Sequence, residues 1–318
     1  MNNKLNYLGV IFILAIMTGC LQETESDLDR IIERDNTALE RYIDANGIEA
    51  TKVQSGFYYE KIQEIPEASQ FQNNDFIGIY FEIKSLDGQL IKSHLDETKE
   101  PIIFKQSIDG IWPSVIGYSA GLSRLGEELM VYSPSYLAFG NYGYQQLILP
   151  NSNLVMRIKF ARKYTEAELK EREEQLILDY IDANELEGFE KIQDGIYRRI
   201  LDEGDADEDL TTNTDIVSFD FKLFHMGETT STFESSATNR PSVTLGRQEN
   251  LPFLEHGLKG IRKEAKVEVL AYSFAAYDNS IQIIPSDVRK DLYEKGEQID
   301  LVRPYTPVLF SAEVLNVQ

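Results

Sequence analysis

Two charged stretches, about 26–45 and 165–183, carry apolar residues at helical spacing and close on the same five residues, Tyr42-Ile43-Asp44-Ala45-Asn46 and Tyr180-Ile181-Asp182-Ala183-Asn184. Both are expected to be helices, and Asn46-Gly47 has the chemistry of a helix C-terminus. After each helix come glycine and aromatic strand residues, Gly56-Phe57-Tyr58-Tyr59 in the first copy and Gly195-Ile196-Tyr197 in the second. Alternation of period two then runs through Asp75–Phe81 and again through Asp215–Phe221, as in half-buried strands. Turns at Leu86-Asp87-Gly88 and Met226-Gly227 break the strands, and each copy has one short helix late in its length. The second copy carries extra sequence at about 279–302, with a predicted helix over 286–295, and the acidic run 202–209 reads as a loop.

This is a tandem duplication with an offset of 138 to 140 residues. The predicted fold class is α+β: two antiparallel half-barrel sheets, each around a short helix and each introduced by an amphipathic helix. The expected divisions are 1–19 (signal), 20–48 (acidic tether and helix), 49–163 (first domain), 164–188 (linker helix) and 189–318 (second domain with its insertion).

The first segment is an address. Lys4 precedes an apolar run, Tyr7 to Met17, that is too short for a spanning helix of about 20 residues and fits a signal-peptide core. It ends in Ile16-Met17-Thr18-Gly19-Cys20, which resembles a bacterial lipobox, and Cys20 is the chain's sole cysteine. Cleavage before Cys20 would remove one lysine and no acid, taking the net charge from −22 to −23, so lipid chains and not basic residues would hold the protein to a membrane. The following Gln22-Glu23-Thr24-Glu25-Ser26-Asp27 resembles surface-export signals of Bacteroidetes lipoproteins and reads equally as a solvated spacer. Outer-membrane attachment, facing the periplasm or the cell surface, is the expected location.

A charge of −22 repels a phosphate backbone and excludes general nucleic-acid binding. One cysteine and three histidines leave no disulfide framework and few ligands for zinc, and no glycine-rich phosphate cradle appears. Seventeen Tyr and 16 Phe favour β-rich packing with ring-lined hollows. His94, His225 and His256 show no ligand spacing and are expected on surfaces or in loops, and the acidic run lacks the spacing of an EF-hand.

Ser133-Pro134-Ser135-Tyr136-Leu137-Ala138-Phe139-Gly140 resembles the Ile-Pro-x-x-Leu-Ala-Tyr-Gly loop of FKBP-type peptidyl-prolyl cis-trans isomerases. Leu147 to Val155 is similar to the same family's Ile-Pro-Pro-Asn-Ala-Thr-Leu-Val. In the second copy, Phe233-Glu234-Ser235-Ser236, Val243-Thr244-Leu245-Gly246, Gly257-Leu258, Ala276-Tyr277 and the final strand Pro304–Phe310 match in order. Together the motifs cover roughly 53–163 and 191–317 and resemble the tandem lipoprotein forms related to the gliding-motility isomerases of Bacteroidetes.

The resemblance implies rotation about X-Pro bonds of exported proteins, without a cofactor and without nucleic acid. It places Phe81, Ile91, Phe104, Phe139, Ile148 and Met156 around the first pocket. The second would hold Phe221, Phe233, Glu234, Val243, Leu254, Tyr277 and Phe310. Departures fall unevenly: Phe81 and Phe221 stand at a usual tyrosine, Lys92 replaces the pocket acid that Glu234 retains, and Phe139 lacks the hydroxyl that Tyr277 keeps. Leu254 stands at the usual tryptophan floor in the second copy, and either Tyr118 or Ile116 takes that place in the first. The second domain therefore preserves more polar chemistry, under an insertion able to cover its pocket.

Two other classes compete. A non-catalytic module gripping extended segments of envelope proteins fits the lost hydroxyls and Lys92. Gly117-Tyr118-Ser119-Ala120-Gly121 satisfies a nucleophile elbow, with Asp215 and His256 following in hydrolase order. Pro113 interrupts the strand that elbow needs, and the equivalent 253–257 has no serine.

Overall fold

A computed structural model describes residues 26–277, 280–297 and 299–318; the signal segment, Cys20 and most of the acidic tether lie outside the described residues. The chain forms α1 (Asp27–Ala45), β1 (Thr51–Lys52), β2 (Tyr58–Gln63), β3 (Phe76–Ser85), β4 (Leu90–His94), β5 (Ile102–Lys105), β6 (Ile111–Trp112), α2 (Val115–Ala120), β7 (Glu128–Ser133) and β8 (Leu154–Tyr164). The second unit repeats this as α3 (Glu166–Ala183), β9 (Glu190–Gln193), β10 (Ile196–Asp202), β11 (Ile216–His225), β12 (Phe233–Glu234), β13 (Ser242–Thr244), α4 (Pro252–Gly257), β14 (Lys266–Ala271), α5 (Ser273–Ala276) and β16 (Val308–Val317). Between α5 and β16 the insertion adds β15 (Gln282–Ile283), a 3-10 turn at Ser286–Val288 and α6 (Arg289–Glu294).

The class is α+β, with one antiparallel sheet per domain. Strand order is β1-β2-β7-β8-β3-β4 in the first sheet and β9-β10-β14-β16-β11-β12 in the second, with β5 and β13 each pairing the long strand of its own sheet. The duplication read from five repeated residues is thus a duplication of topology. Both introducing helices open with a capping box, Ser26 with Asp29 and Thr165 with Glu168. Both stop at asparagine, followed by a left-handed residue, Gly47 (φ 61°) in one and Glu185 (φ 51°) in the other.

Each helix is tied to its sheet by the same device. Asp35, Leu39 and Ile43 form the buried stripe of α1; Glu173 and Ile177 stand at the equivalent positions of α3. The Asp35 carboxylate accepts from the amide (2.8 Å) and hydroxyl (2.6 Å) of Ser135, and Glu173 accepts from the amide (2.6 Å) and hydroxyl (2.7 Å) of Ser273. Each serine opens the short turn that ends at Phe139 or Tyr277. A second repeated contact locks the first hairpin to the helix: Lys52 and Tyr58 both donate to Glu40, Lys191 and Tyr197 both to Glu174. Gly56 and Gly195 hold positive φ, and a Cβ at either would also collide with the Tyr136 hydroxyl or the Tyr272 ring.

The insertion belongs in sequence to the second domain, yet its apolar residues pack into the core of the first. Ile283, Ile284, Val288 and Leu292 are buried in one cluster with Phe81, Ile91, Phe104 and Phe139. β15 lies parallel to β6, with the Gln282 amide donating to Gly110 O (3.0 Å) and the Ile284 amide to Trp112 O (2.9 Å). The buried Arg289 guanidinium donates to the carbonyls of Ile281, Asp300 and Val302, bracing the two limbs of the insertion on each other. The Trp112–Pro113 and Ile284–Pro285 peptides are cis. A second junction sets Phe76 edge to face with Phe274 and Tyr305 at 6.2 and 5.7 Å.

Candidate functional site

On each sheet the residues of one face of the long central strands converge on the short helix, because side chains alternate along a strand. In the second domain Val217, Phe219, Phe221, Leu223 and His225 share that face of β11. Phe310 of β16 lies opposite Leu223 and beside Val269, buried at 1% exposure. Around it stand Phe219 and Phe221 at 5.8 Å each and Phe253 at 5.3 Å, edge to face with Phe219 and Phe253.

Over this floor Phe221, Phe233, Val243, Leu254 and Tyr277 are half-buried, packed against the same core while still reached by solvent. Tyr277 lies 6.0 Å from Phe253, and its amide donates to Ser273 O at 2.7 Å. Burial, and after it the nearby Asp300 carboxylate, raise the Tyr277 hydroxyl above its ordinary value, so it remains a proton donor at neutral pH. Glu234 is exposed, opposite Lys222 in the β11–β12 register, and accepts from the Ser231 hydroxyl at 3.0 Å. Tyr293 of α6 meets Phe233 at 6.3 Å, so the insertion borders this cleft as a side wall. Six of the seven residues expected there are thus gathered on one side of the sheet; Glu234, paired with Lys222 and next to Phe233 in β12, faces the other way.

The first domain uses the same geometry and fills it. Phe81, Ile91, Phe104, Phe139, Ile148 and Met156 are all buried in one cluster, Phe104 at 0% and Phe139 at 4% exposure. The four apolar residues of the insertion occupy that cluster with them. Whether the insertion covers the pocket of its own domain was left open by sequence; its apolar face enters the other domain. Lys92, at the family's acid position, pairs with Asp287 of the insertion at 2.7 Å. Of the two floor residues left open by sequence, Ile116 is buried in the cluster and Tyr118 is 45% exposed.

Sequence reasoning passed over Trp112, whose ring lies 4.8 Å from Phe139 and 5.5 Å from Tyr142, and over Phe253 and Phe219. Phe219 was accessible from its place two residues before Phe221, since period two puts both on one face. Trp112 was masked by the proline after it.

No nucleophile is assembled around Ser119. Its side chain is buried at 0% exposure, and its hydroxyl donates to Ile116 O at 2.8 Å. Asp215 caps Thr212 and His256 lies on α4, both in the other domain. Among the described residues no group of three or more His, Cys, Asp or Glu is placed to hold a metal ion, and no helix is long and apolar enough to cross a membrane.

His225 departs from the surface position expected for it. It is buried at the end of β11, where Nε2 accepts from the Arg303 amide at 2.9 Å and Nδ1 faces the Thr232 hydroxyl at 3.1 Å. Burial, and then the Arg303 charge, pull its imidazole down from 6.5 to about 4. The folded chain holds it neutral, so stability is full above the unfolded value near 6.5 and declines as pH falls toward 4. Between pH 7 and 5 the expected loss is about 1–2 kcal/mol. It would be read as a lower urea midpoint that a His225→Gln variant, with no ring to protonate, does not share.

No protein-family model matches the chain, and no curated protein matches it. Solved structures do. The three FKBP domains of wheat FKBP73 align with 83% of this chain and 96% of that one at 12% identity, with a TM-score of 0.32. The peptidyl-prolyl cis-trans isomerase of Pseudomonas syringae pv. tomato aligns over 45% and 99% at 15% identity, with a TM-score of 0.36. FkpA from Escherichia coli aligns over 51% and 73% at 16% identity, with a TM-score of 0.35.

Proposed function

We propose that the chain is an FKBP-type peptidyl-prolyl cis-trans isomerase and folding factor for exported proteins, with turnover confined to the second domain. The observation that carries this reading is the contrast between the two ring sets. Phe221, Phe233, Val243, Leu254 and Tyr277 stand half-open over Phe310, whereas their counterparts in the first domain are sealed.

The chemistry asks little of a protein. Amide resonance sets a barrier of about 18–20 kcal/mol to rotation and leaves uncatalysed X-Pro exchange at tens to hundreds of seconds. Twisting the bond removes resonance and weakens the carbonyl dipole, so an apolar ring-lined cleft accepts the twisted amide more readily than the planar one. A single donor suffices to hold the carbonyl, and the Tyr277 hydroxyl is the group proposed for it. Rate then comes from preferring the transition state, with no covalent step. The sealed first domain suits the binding-module reading for that half of the chain.

Cys20, in its lipobox-like setting, would carry the lipid anchor, and the acidic tether would hold the domains off an outer membrane, on its periplasmic or outer face. Clients would be proline-containing segments of envelope or secreted proteins.

A protease-coupled assay with a proline tetrapeptide tests the isomerase. Acceleration over background is expected from the full chain, reduced by about tenfold or more in kcat/KM by Phe233→Ala (~1.4 kcal/mol of transition-state binding). Tyr277→Phe should lower the rate several-fold while leaving peptide affinity nearly unchanged. A full chain no faster than background, yet able to bind the peptide, would leave a binding module in place of an enzyme.

A further inference from the structure

The seat of the insertion has the anatomy of a peptide complex. A short extended segment pairs its main chain with a two-residue strand, apolar side chains drop into a ring-lined hollow, and charged groups close over the rim. Here the strand is β15 on β6, with amides donating to Gly110 O and Trp112 O. The side chains entering the hollow are Ile283, Ile284, Val288 and Leu292. The rim offers a cation and a donor, and the insertion answers both with carboxylates: Lys92 pairs with Asp287 at 2.7 Å, and the Tyr142 hydroxyl donates to Asp291 at 2.7 Å. Lys295 lies over the Tyr142 ring at 4.6 Å and donates to Gly143 O at 3.1 Å.

We propose that the hollow of the first domain is a binding site for an aliphatic segment that runs from a short strand through a turn into a helix and carries two acids, and that the second domain's insertion occupies it in cis. Two features separate this from ordinary domain packing. The insertion is braced within itself by Arg289, through the carbonyls of Ile281, Asp300 and Val302, in addition to its contacts with the first domain. Its contacts with the first domain also combine main-chain pairing to β6 with two acids that meet a lysine and a tyrosine hydroxyl. Tethered ligands act at effective concentrations in the millimolar range, so the cis occupant excludes weak competitors. Peptides of the same chemistry gain the site only when the insertion leaves it. The inference does not depend on whether the second domain turns over proline bonds, and turnover is not its readout.

The test uses two variants of the full chain and a fluorescein-labelled peptide copying residues 280–296. In the first variant a Gly-Ser linker replaces residues 281–299. Near-UV circular dichroism checks that it folds, and fluorescence anisotropy is expected to show peptide binding in the micromolar range, with none by the wild type. The second, Asp287→Lys, sets like charge against Lys92. Hydrogen exchange at the Gln282 and Ile284 amides should quicken about tenfold, and adding Lys92→Asp should restore much of the protection. A folded linker variant that leaves the peptide free, or a wild type that binds it equally well, overturns the proposal. Should the linker variant not fold, unchanged exchange in the charge-reversed chain overturns it, and quickened exchange that Lys92→Asp repairs sustains it.

Discussion

Glu173→Ala should lower the stability of the second domain by about 3–5 kcal/mol, a larger loss than any surface change in the chain. The side chain is fully buried, and it is the acceptor for both the amide and the hydroxyl of Ser273. Truncation orphans two donors where water does not reach, each costing about 1–3 kcal/mol, and leaves a void besides. Burial holds this carboxyl above its ordinary value, while the Ser273 bonds and then the Arg172 charge pull the other way. Glu173→Gln keeps one acceptor oxygen and should recover about half of the loss. The matching Asp35→Ala in the first domain should cost less, about 2 kcal/mol, because the Ser135 amide also reaches Asn153 Oδ1 at 3.0 Å. Urea denaturation of the three variants measures this order; an Asp35 variant hurt as badly as Glu173→Ala would show that the asparagine does not share the load.

These carboxylates also mark where the sequence was legible and where it was not. Repeated residues at the helix ends, 42–46 and 180–184, displayed the duplication, and period-two stretches placed β3 and β11 because local spacing alone sets those patterns. Asp35 and Glu173 sit among similar charges in the same helices, and only the three-dimensional pairing with residues 100 positions away distinguishes them. The insertion was visible as extra length, and its helix fell close to the expected place. Its destination was not visible, since isoleucine and leucine spacing specifies burial without naming the core that receives them. Lys92 carried the one local hint: a cation where a carboxylate was expected makes sense once Asp287 arrives opposite it. His225 was misplaced for a related reason, as a histidine two residues past buried Leu223 lies on the inward face of the strand whatever its polarity.

Phe310→Ala should combine a stability loss of about 3–5 kcal/mol with a fall in isomerase rate that the lost stability does not explain. Phe310 is the third residue of β16, which is held between β11 and β14, so its ring is fixed by two registers at once. Its face and edges meet Phe219, Phe221 and Phe253, none more than 5.8 Å away. Removing the ring leaves a hole beneath Phe221, and the half-open residues above it have nothing firm to rest on. Measured per folded molecule, below the onset of unfolding, kcat/KM should drop by at least tenfold, because an apolar floor is what makes the twisted amide preferable to the planar one. Phe310→Leu should separate the two effects: it refills much of the space, costing about 1–2 kcal/mol, while removing the flat surface. Its rate should stay well below that of the wild type even where its urea midpoint nearly recovers. A leucine variant with full activity would mean that the second cleft works without its aromatic base, and the proposed mechanism would lose its main physical support.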